Sequence, residues 1–361
     1  MMICKSRSIQ LSVIVCAYNE EQQLENCLGS LLKQEFDRSD FEIIIMDNES
    51  CDSTPMIAKR IVSENEKKVQ IKYFRIEHVG LSISRNTGIS KARGNIIAFV
   101  DADARIEKDW MKNIVEPFNT DASISIVAGR VENLNDHSWF ARFIYRAHFS
   151  AGVLARSNSK IGGLTGANMA FRKEVFNVTG GFFDEFTSYG DETSVAVNYL
   201  ENQPDAVIAT AQEAIVFNEH PETLYSWLRQ RFFQGRMLFL INMHVAKSSV
   251  AKTLLKSGVK FVSLLCLVAV LSYPMINLSV EITMASAAVF LLTVFARYRY
   301  LWNAYREVSS SFSPWAGFVG VATCIVGNIF GDAGFVREAL MALTGSKVAL
   351  GNSVSNIIES R

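Results

Sequence analysis

The sequence predicts an α/β fold of the Rossmann-like kind, with a mainly parallel sheet and helices on both faces, followed by an apolar C-terminal part. Short apolar runs rich in β-branched residues alternate with amphipathic stretches over residues 11–103. This alternation is typical of β-α-β units, whose right-handed crossovers make the strands parallel. Beyond about residue 245, long apolar runs with almost no charge predict C-terminal transmembrane α-helices.

The individual strands and helices follow from hydrophobic periodicity. Strands are predicted at residues 11–17, 41–46, 69–76, 95–100 and 124–129. The first is continuously apolar, as in a strand that is covered on both faces of a parallel sheet. Between the first two strands, Leu24, Cys27, Leu28 and Leu31 recur at the spacing of one helix face, which predicts an amphipathic helix.

Composition narrows the class of protein. The 36 basic residues balance 36 acidic residues, so no general field favours nucleic acid as a partner. The cysteines form no CxxC pair, which indicates small buried side chains in a reducing compartment. Because no apolar core of signal-peptide length precedes the first strand, we expect the soluble domain to lie in the cytoplasm.

Carboxylates follow the ends of several predicted strands. Asp101 and Asp103 come at the end of the fourth strand, and Glu20 and Asp47 follow the first two. Open α/β sheets bind ligands at this edge, and two oxygen ligands spaced i, i+2 can bind a divalent cation such as Mn or Mg. Asp-x-Asp is also ordinary turn chemistry. Since neither Gly-x-Gly-x-x-Gly nor a Walker lysine follows the first strand, we expect metal to hold any phosphates.

Two later stretches are further candidates. The glycine-rich run at 161–172 contains Gly166 and Asn168, where backbone can approach a ligand and an amide can hydrogen-bond to it. A flexible turn before a strand is the alternative. Asp191 and Glu192 precede a predicted helix, where acidic residues favour the N-terminus. Such a pair also suits a general base whose pKa is raised by its neighbour.

Taken together, the order of these motifs resembles the family 2 glycosyltransferases, which are inverting enzymes of GT-A fold that use nucleotide-diphosphate sugars. The resemblance covers roughly residues 9 to 240. The matching pieces are residues 13–20 (VIVCAYNE), 44–50 (IIMDNES), 80–88 (GLSISRNTG), 98–103 (AFVDAD), 166–172 (GANMAFR), 180–182 (GGF), 190–192 (GDE) and 230–235 (QRFFQG).

The resemblance implies roles for the residues of the nucleotide and metal sites. It implies that Asp103, together with Asp101, binds Mn or Mg, and that Asp101 also borders the nucleotide. The residues that it assigns to the nucleotide pocket are Ala17, Tyr18, Glu20, Asp47, Arg85 and Asn86. Of these, Asp47 is expected to contact the base.

The resemblance also implies a base and an acceptor region. The acidic pair of the family usually reads Glu-Asp, whereas here it is Asp191-Glu192, with Glu192 at the expected base position. Which of the two carboxylates acts stays open. Gly166 and Asn168, with Gln230 and Arg231, are expected to border the donor sugar and the acceptor.

The C-terminal part predicts a membrane segment. Residues 220–245 have the pattern of an aromatic and basic amphipathic helix, which suits either the membrane surface or packing on the catalytic domain. Apolar runs follow at 261–278, 282–296 and 312–331; basic residues flank the first two and predict a hairpin with cytoplasmic ends. The predicted division is a catalytic domain at 1–220, an interfacial linker at 221–257, a membrane domain with two to three helices at 258–335 and a tail at 336–361.

The resemblance, together with the predicted membrane segment, implies an inverting sugar transfer at the cytoplasmic face of the cell membrane. The expected donor is a nucleotide-diphosphate sugar, and the expected acceptor is a lipid-linked saccharide of a cell-surface polysaccharide pathway. One alternative is a processive polysaccharide synthase, although those relatives carry Gln-x-x-Arg-Trp where residues 230–234 read QRFFQ. The other is a catalytically silent nucleotide-binding scaffold on the membrane.

Overall fold

The computed structural model describes residues 9–78, 80–148, 164–184, 190–241 and 313–343, together with residues 284, 305, 306, 309 and 310. The chain divides into two compact units. The first contains the described residues up to Leu134 and those from 164 to Glu219. The second contains Asn135–His148 and the described residues from His220 onward. The four-part division expected from the sequence stays a prediction.

A mixed eight-stranded sheet forms the first unit, in the order β3-β2-β1-β4-β7-β6-β8-β5. Its first four strands are parallel neighbours, whereas β7 runs antiparallel to both β4 and β6. The predicted α/β class is therefore confirmed, with a mixed sheet. The strands are β1 (Leu11–Ala17), β2 (Phe41–Asp47), β3 (Gln70–Arg75), β4 (Ile96–Asp101), β5 (Arg105–Ile106), β6 (Ile124–Asn133), β7 (Asn168–Arg172) and β8 (Val207–Asn218).

Helices connect these strands and build the second unit. Those of the first unit are α1 (Leu24–Leu32), α2 (Thr54–Asn65), α3 (Leu81–Lys91), α4 (Trp110–Thr120), α6 (Lys173–Thr179) and α7 (Asp191–Asn202). Those of the second unit are α5 (Trp139–His148), α8 (Leu224–Leu240) and α9 (Pro314–Leu343).

Two hydrophobic cores cover the sheet of the first unit. Val13 and Val15 of β1 enter one core, and Ile14 enters the other. Successive side chains of a strand point to opposite faces, so a strand covered on both sides must be apolar throughout. The helical spacing predicted after β1 also holds, since Leu24 and Leu28 of α1 are buried in the first core. The continuous apolar runs thus position the strand ends that carry the polar residues.

Close helix packing marks the second unit, where α8 lies against α9. A Cβ atom on Gly235 would meet the carbonyl oxygen of Gly331 at 1.7 Å, so only glycine permits this approach. Phe239 and Phe335 pack edge to face, with ring centroids 5.2 Å apart.

Among the described residues, no helix is long and apolar enough to cross a membrane. The third apolar run predicted from the sequence, at 312–331, lies largely in α9. The first two runs, at 261–278 and 282–296, lie outside the described residues except for Met284.

Strand β8 and helix α5 are absent from the sequence-based expectations. The centre of β8 reads Thr-Ala-Gln-Glu-Ala, which contains good helix formers and lacks a clear alternation. Its extended form comes from pairing with β6, whose residues from Ile124 to Asn133 align with Val207 to Asn218. Tertiary pairing has overridden local propensity here, as is common in sheets.

Candidate active site

The carboxyl ends of β1, β2 and β4 meet at one edge of the sheet. Ala17 pairs with Asp47 in the β1–β2 register, and Cys16 pairs with Asp101 in the β1–β4 register. Asp103 follows two residues later. The edge therefore brings together the strand-end residues that the sequence singled out, and this is where open α/β sheets bind ligands.

Arg85 of α3 lies at the centre of the charges of this edge. Its guanidinium is 3% exposed and forms an ion pair with Asp191 through Nη1. Nη2 lies 3.7 Å from Asp101 Oδ1 and donates to the carbonyl oxygen of Gly166 at 3.2 Å. The ring centroid of Phe182 lies 5.5 Å from the guanidinium carbon. Since a buried cation needs charged partners, Arg85 links α7 and the turn before β7 to the end of β4.

Gly166 leaves the space that the guanidinium fills. A Cβ atom at this position would lie 2.8 Å from Arg85 Nη2, which is too close for a normal contact. In this structure, the close approach predicted for Gly166 is thus to a protein side chain.

The acidic pair divides into two different environments. Asp191 begins α7, is 1% exposed and is committed to the Arg85 guanidinium. Glu192 is half-buried. Burial, followed by the charge of Asp191 and a hydrogen bond with it, raises the pKa of Glu192 well above its ordinary value, while Arg85 opposes the shift. A carboxylate whose pKa is raised in this way is a stronger proton acceptor once it is ionised.

Asp101 is held by protein groups on two sides. Asn218, at the end of β8, places its Nδ2 3.4 Å from Asp101 Oδ2, whereas Arg85 contacts Oδ1. The pKa of Asp101 is raised above its ordinary value, mainly by burial. The positive charge of Arg85 opposes this shift, the negative charge of Asp191 adds to it, and the hydrogen bond from Asn218 opposes it. Asn218 is a site residue that the sequence reasoning missed, because nothing in the sequence indicated where β8 ends.

The carboxylates of Asp101 and Asp103 suit a hard divalent cation such as Mn²⁺ or Mg²⁺. Both side chains are half-buried at the sheet edge. In the described part of the chain, no group of three His, Cys, Asp or Glu side chains is arranged to hold a metal ion. Further ligands would have to come from a diphosphate and water, as is usual for Mg²⁺ in phosphate-binding sites. The donor set fits such a shared site.

Asp47 has a different environment from the one expected. It is fully buried, and its Oδ1 accepts from the backbone N–H of Ser50 at 2.9 Å. Its Oδ2 accepts from the hydroxyl of Tyr73 at 2.6 Å. Asp47 thus organises the turn after β2 in this structure, and its expected contact with the base stays a prediction.

The loops after β1 and β2 are bound to each other. The Asn48 N–H donates to the carbonyl oxygen of Ala17 at 2.9 Å, and the Glu20 N–H donates to Thr54 Oγ1 at 2.7 Å. Tyr18 packs against His78, which follows β3, with ring centroids 4.3 Å apart. His78 is a second residue that the sequence reasoning missed.

Asn86 and Asn168 are used by the protein itself. The Asn86 side chain donates to the carbonyl oxygen of Phe182 and accepts from its N–H, both at 2.8 Å. Asn168 is fully buried; it accepts from Trp110 Nε1 and donates to the carbonyl oxygens of Arg130 and Ala214, each at 2.8 Å. Both side chains thus have protein partners in this structure, and their expected ligand contacts stay predictions.

Gln230 and Arg231 belong to α8 in the second unit. Arg231 donates to Gln234 Oε1 and to Asn328 Oδ1, both at 2.7 Å, and its guanidinium carbon lies 5.4 Å from the Trp227 ring centroid. The hydrogen bond with Asn328 joins α8 to α9, whereas the other two contacts lie within α8. The expected part of Gln230 and Arg231 in acceptor binding stays a prediction.

Comparison with known proteins identifies the class of the first unit. Residues 12–180 match the sequence model of Glycosyl transferase family 2. In sequence, this segment therefore resembles the family 2 glycosyltransferases. The matched residues include β1 from Ser12 onward, β4, the Asp101 and Asp103 motif and Arg85.

Several relatives of this chain are named as glycosyltransferases. AglE of Haloferax volcanii is 26% identical over 224 residues, which are 62% of this chain and 71% of that protein. The glucosyl-dolichyl phosphate glucuronosyltransferase of the same organism is 25% identical over 256 residues, covering 63% of this chain and 75% of that protein. Other relatives, at 31–34% identity, are covered over only 17–32% of their own length.

A solved structure shares the fold. The mannosyltransferase PcManGT from Pyrobaculum calidifontis, in complex with GDP-Man and Mn²⁺, superposes with a TM-score of 0.56 over 95% of this chain and 89% of that chain, at 18% identity. The first unit thus has a mixed α/β, GT-A-like fold, and the predicted enzyme class, glycosyltransferase, is confirmed.

Proposed function

We propose that this protein transfers a sugar, with inversion, from a nucleotide-diphosphate sugar to a saccharide acceptor. The observation that carries the proposal is the position of Arg85, whose guanidinium pairs with Asp191 and lies 3.7 Å from Asp101. It ties the acidic pair of α7 to the Asp101 and Asp103 motif. A proton acceptor and a site for the donor diphosphate therefore meet at one sheet edge.

Glu192 acts as the general base in this proposal. Asp191 is engaged by Arg85, whereas Glu192 is half-buried and has a raised pKa. The Glu192 carboxylate removes the proton of the acceptor hydroxyl as that oxygen attacks the anomeric carbon. The bond from the anomeric carbon to the diphosphate oxygen breaks, and the nucleoside diphosphate leaves with the electron pair. This single displacement inverts the anomeric centre and requires no covalent enzyme intermediate.

Asp101 and Asp103 would hold the cation, Mn or Mg. When bound there, a divalent cation supplies Lewis-acid stabilisation to the departing diphosphate. The complex of the mannosyltransferase with GDP-Man and Mn²⁺ supports divalent metal use in this fold. Asp101 is oriented for this role by Arg85 and Asn218.

The acceptor is a lipid-linked saccharide at the cytoplasmic face of the cell membrane, in the synthesis of a cell-surface glycan. The apolar runs at 261–278 and 282–296 and their basic flanks support membrane anchoring. One relative is named as a glucosyl-dolichyl phosphate glucuronosyltransferase, which supports a polyprenyl-type acceptor. Membrane lipid and such an acceptor are thus the expected partners.

Donor turnover by the purified full chain tests this function. We expect release of a nucleoside diphosphate that requires Mn²⁺ or Mg²⁺ and falls at least about 100-fold in Asp103→Asn, since the metal contributes several kcal/mol. Asp205→Asn is the matched control, because Asp205 is an exposed aspartate of the same unit. Equal turnover in Asp103→Asn and wild type would refute the metal site.

Paired acceptors test the lipid-linked part of the proposal. We expect transfer to polyprenyl-diphosphate saccharides and little transfer to the same saccharides without lipid. Transfer to soluble saccharides alone would contradict the membrane acceptor. Long polymer from one acceptor would instead identify a processive synthase, and no turnover of any nucleotide sugar would identify a silent scaffold.

A further inference from the structure

Helix α1 lies against the part of the chain that carries the acidic motif. This part, which we call the metal segment, comprises residues 101–111 and contains Asp101, the turn with Asp103, strand β5 and the first residues of α4. Ala102 and Ala104, on either side of Asp103, are buried in the same core as the apolar face of α1. The backbone around Asp103 therefore lies next to this helix.

Three polar side chains of α1 and its C-terminal end hydrogen-bond to the backbone of the metal segment. Cys27, Ser30 and Gln34 recur at helical spacing, and Gln34 lies two residues beyond the end of α1. The Cys27 thiol donates to the carbonyl oxygen of Asp101 at 3.4 Å. Ser30 Oγ accepts from the N–H of Ile106 at 3.1 Å. Because a thiol is a weak donor, Ser30 and Gln34 make the stronger bonds.

The Gln34 amide joins the end of β5 to the start of α4. Its Nε2 donates to the carbonyl oxygen of Glu107 at 2.7 Å, and its Oε1 accepts from the N–H of Met111 at 2.9 Å. Glu107 follows β5 directly, and Met111 is the second residue of α4. The N–H of Glu35 donates in addition to the carbonyl oxygen of Lys108 at 3.1 Å. One side chain thus sets the distance between β5 and α4.

Strand β5 depends on these bonds because it is short and stands last in the described sheet. It has two residues, Arg105 and Ile106, and pairs with β8 along one edge. The other edge of a terminal strand presents backbone groups that need partners. Here the side chains of α1 and its end supply the partners that a further strand would give. With so few bonds to β8, the position of β5 is set from both edges.

We propose that Ser30 and Gln34 are positioning residues of the metal motif. They hold the backbone that follows Asp103, so that Asp101 and Asp103 stand in their binding positions before a cation and a donor diphosphate arrive. Preorganisation of this kind strengthens binding because less order has to be imposed at that moment. This inference rests on the proposed function and adds to it two side chains that act through the backbone.

Mn²⁺ binding by the full chain, in the presence of UDP or GDP, tests the inference. The electron paramagnetic resonance signal of free Mn²⁺ gives the Kd, after correction for the Mn²⁺ that the nucleotide binds in a protein-free sample. We expect Ser30→Ala and Gln34→Met each to raise the Mn²⁺ Kd roughly tenfold, as changes behind the ligands of a metal site do. Ser30→Thr keeps the hydroxyl and should bind as wild type.

Ser63→Ala is the matched control. Ser63 is an exposed serine of α2 whose hydroxyl donates to the carbonyl oxygen of Arg60, three residues earlier, at 2.8 Å. Ser30 donates in the same way to the carbonyl oxygen of Cys27 at 2.7 Å. Both alanine variants therefore lose the same bond within a helix, and only Ser30→Ala also loses the bond to the metal segment. We expect Ser63→Ala to bind Mn²⁺ as wild type.

The Mn²⁺ dependence of donor turnover is the second readout. In Ser30→Ala and Gln34→Met, we expect the half-saturating Mn²⁺ concentration to rise by the same factor as the Kd. At saturating Mn²⁺, kcat should stay within about twofold of wild type, because only binding is weakened. A lower kcat with unchanged half-saturation would contradict the positioning role.

Melting temperatures without metal separate positioning from stability. If both variants melt earlier but bind Mn²⁺ with the wild-type Kd, these bonds serve the fold alone; the inference is then wrong and the proposed function stands. If wild type itself takes up no more Mn²⁺ than the nucleotide does alone, the metal site of the proposed function fails as well. Gln34→Met fills a similar volume, so it gives the same test if Ser30→Ala does not fold.

Discussion

Arg85 and Asp191 form a buried ion pair that joins α3 to the start of α7, with side chains that are 3% and 2% exposed. Removing one partner of such a pair leaves a buried charge without compensation, which is strongly destabilising. The same guanidinium lies 3.7 Å from Asp101, so the pair also fixes the acidic residues of α7 relative to the end of β4. Fold stability and site geometry therefore depend on one side chain.

We predict that Arg85→Met lowers the free energy of unfolding by about 3–5 kcal/mol, because it leaves Asp191 buried and unpaired. Denaturant unfolding measures this loss. Adding Asp191→Asn to Arg85→Met should recover part of it, since the unpaired charge is then gone. Arg38→Met, at an exposed position of the same unit, should change stability by less than about 0.5 kcal/mol. Simple additivity of Arg85→Met and Asp191→Asn would contradict the pairing.

Replacing each member of the acidic pair separately by its amide identifies the base. We predict that Glu192→Gln lowers kcat about 10²- to 10⁴-fold, the usual contribution of a general base, with little change in the KM of the donor. Glu201→Gln, on the exposed side of the same helix, is the control and should be silent. A kcat that survives in Glu192→Gln and is lost in folded Asp191→Asn would make Asp191 the base.

The raised pKa of Glu192 predicts opposite effects of pH on activity and stability. The unfolded chain ionises this group near its ordinary pKa of about 4.3, whereas the folded protein retains the proton to higher pH. Its contribution to stability is therefore present below about 4.3 and is lost as pH rises through the folded pKa. In that same window kcat/KM rises, because the base becomes ionised. Glu192→Gln should remove this part of both pH profiles, and parallel profiles in the two proteins would contradict the assignment.

Two glycines give a matched test of the space around Arg85. Gly166→Ala places a Cβ 2.8 Å from Arg85 Nη2, so we predict a loss of both stability and donor turnover. Gly29→Ala meets nothing within 4 Å in α1. In a helix this change should stabilise the fold by roughly 0.5–1 kcal/mol and leave turnover unchanged. Wild-type turnover in Gly166→Ala would show that Arg85 can shift without consequence.

Much of the parallel half of the sheet follows from sequence alone. Strand β1 spans the predicted residues, because a continuous run rich in β-branched residues suits a strand covered on both faces. The placement of Asp101 and Asp47 at one edge follows from the same logic, as the carboxyl ends of parallel strands coincide. Local pattern suffices where burial on both faces dictates the residue type.

Contacts between distant residues explain what the sequence did not indicate. Arg85 and Asp191 are 106 positions apart, so no local pattern pairs them. The burial of Asn168 likewise depends on Trp110, Arg130 and Ala214, which only the folded sheet brings together. The centre of β8 is rich in helix formers and lacks a clear alternation, so the sequence did not indicate the strand or Asn218 at its end. The resemblance supplied roles for several residues whose side chains the fold then uses internally.

Metal-dependent binding of nucleotide sugars tests the central claim most directly, namely that Asp101 and Asp103 hold a metal-bound donor. Thermal unfolding of the full chain would be measured with UDP-, GDP-, dTDP- and CMP-sugars in Mn²⁺, in Mg²⁺ and in EDTA, for wild type and Asp103→Asn. We predict that one nucleotide class stabilises wild type only with metal, by about 2.7 kcal/mol at about 100 times its Kd, and does not stabilise Asp103→Asn. Equal stabilisation in EDTA, or in Asp103→Asn, would contradict the account.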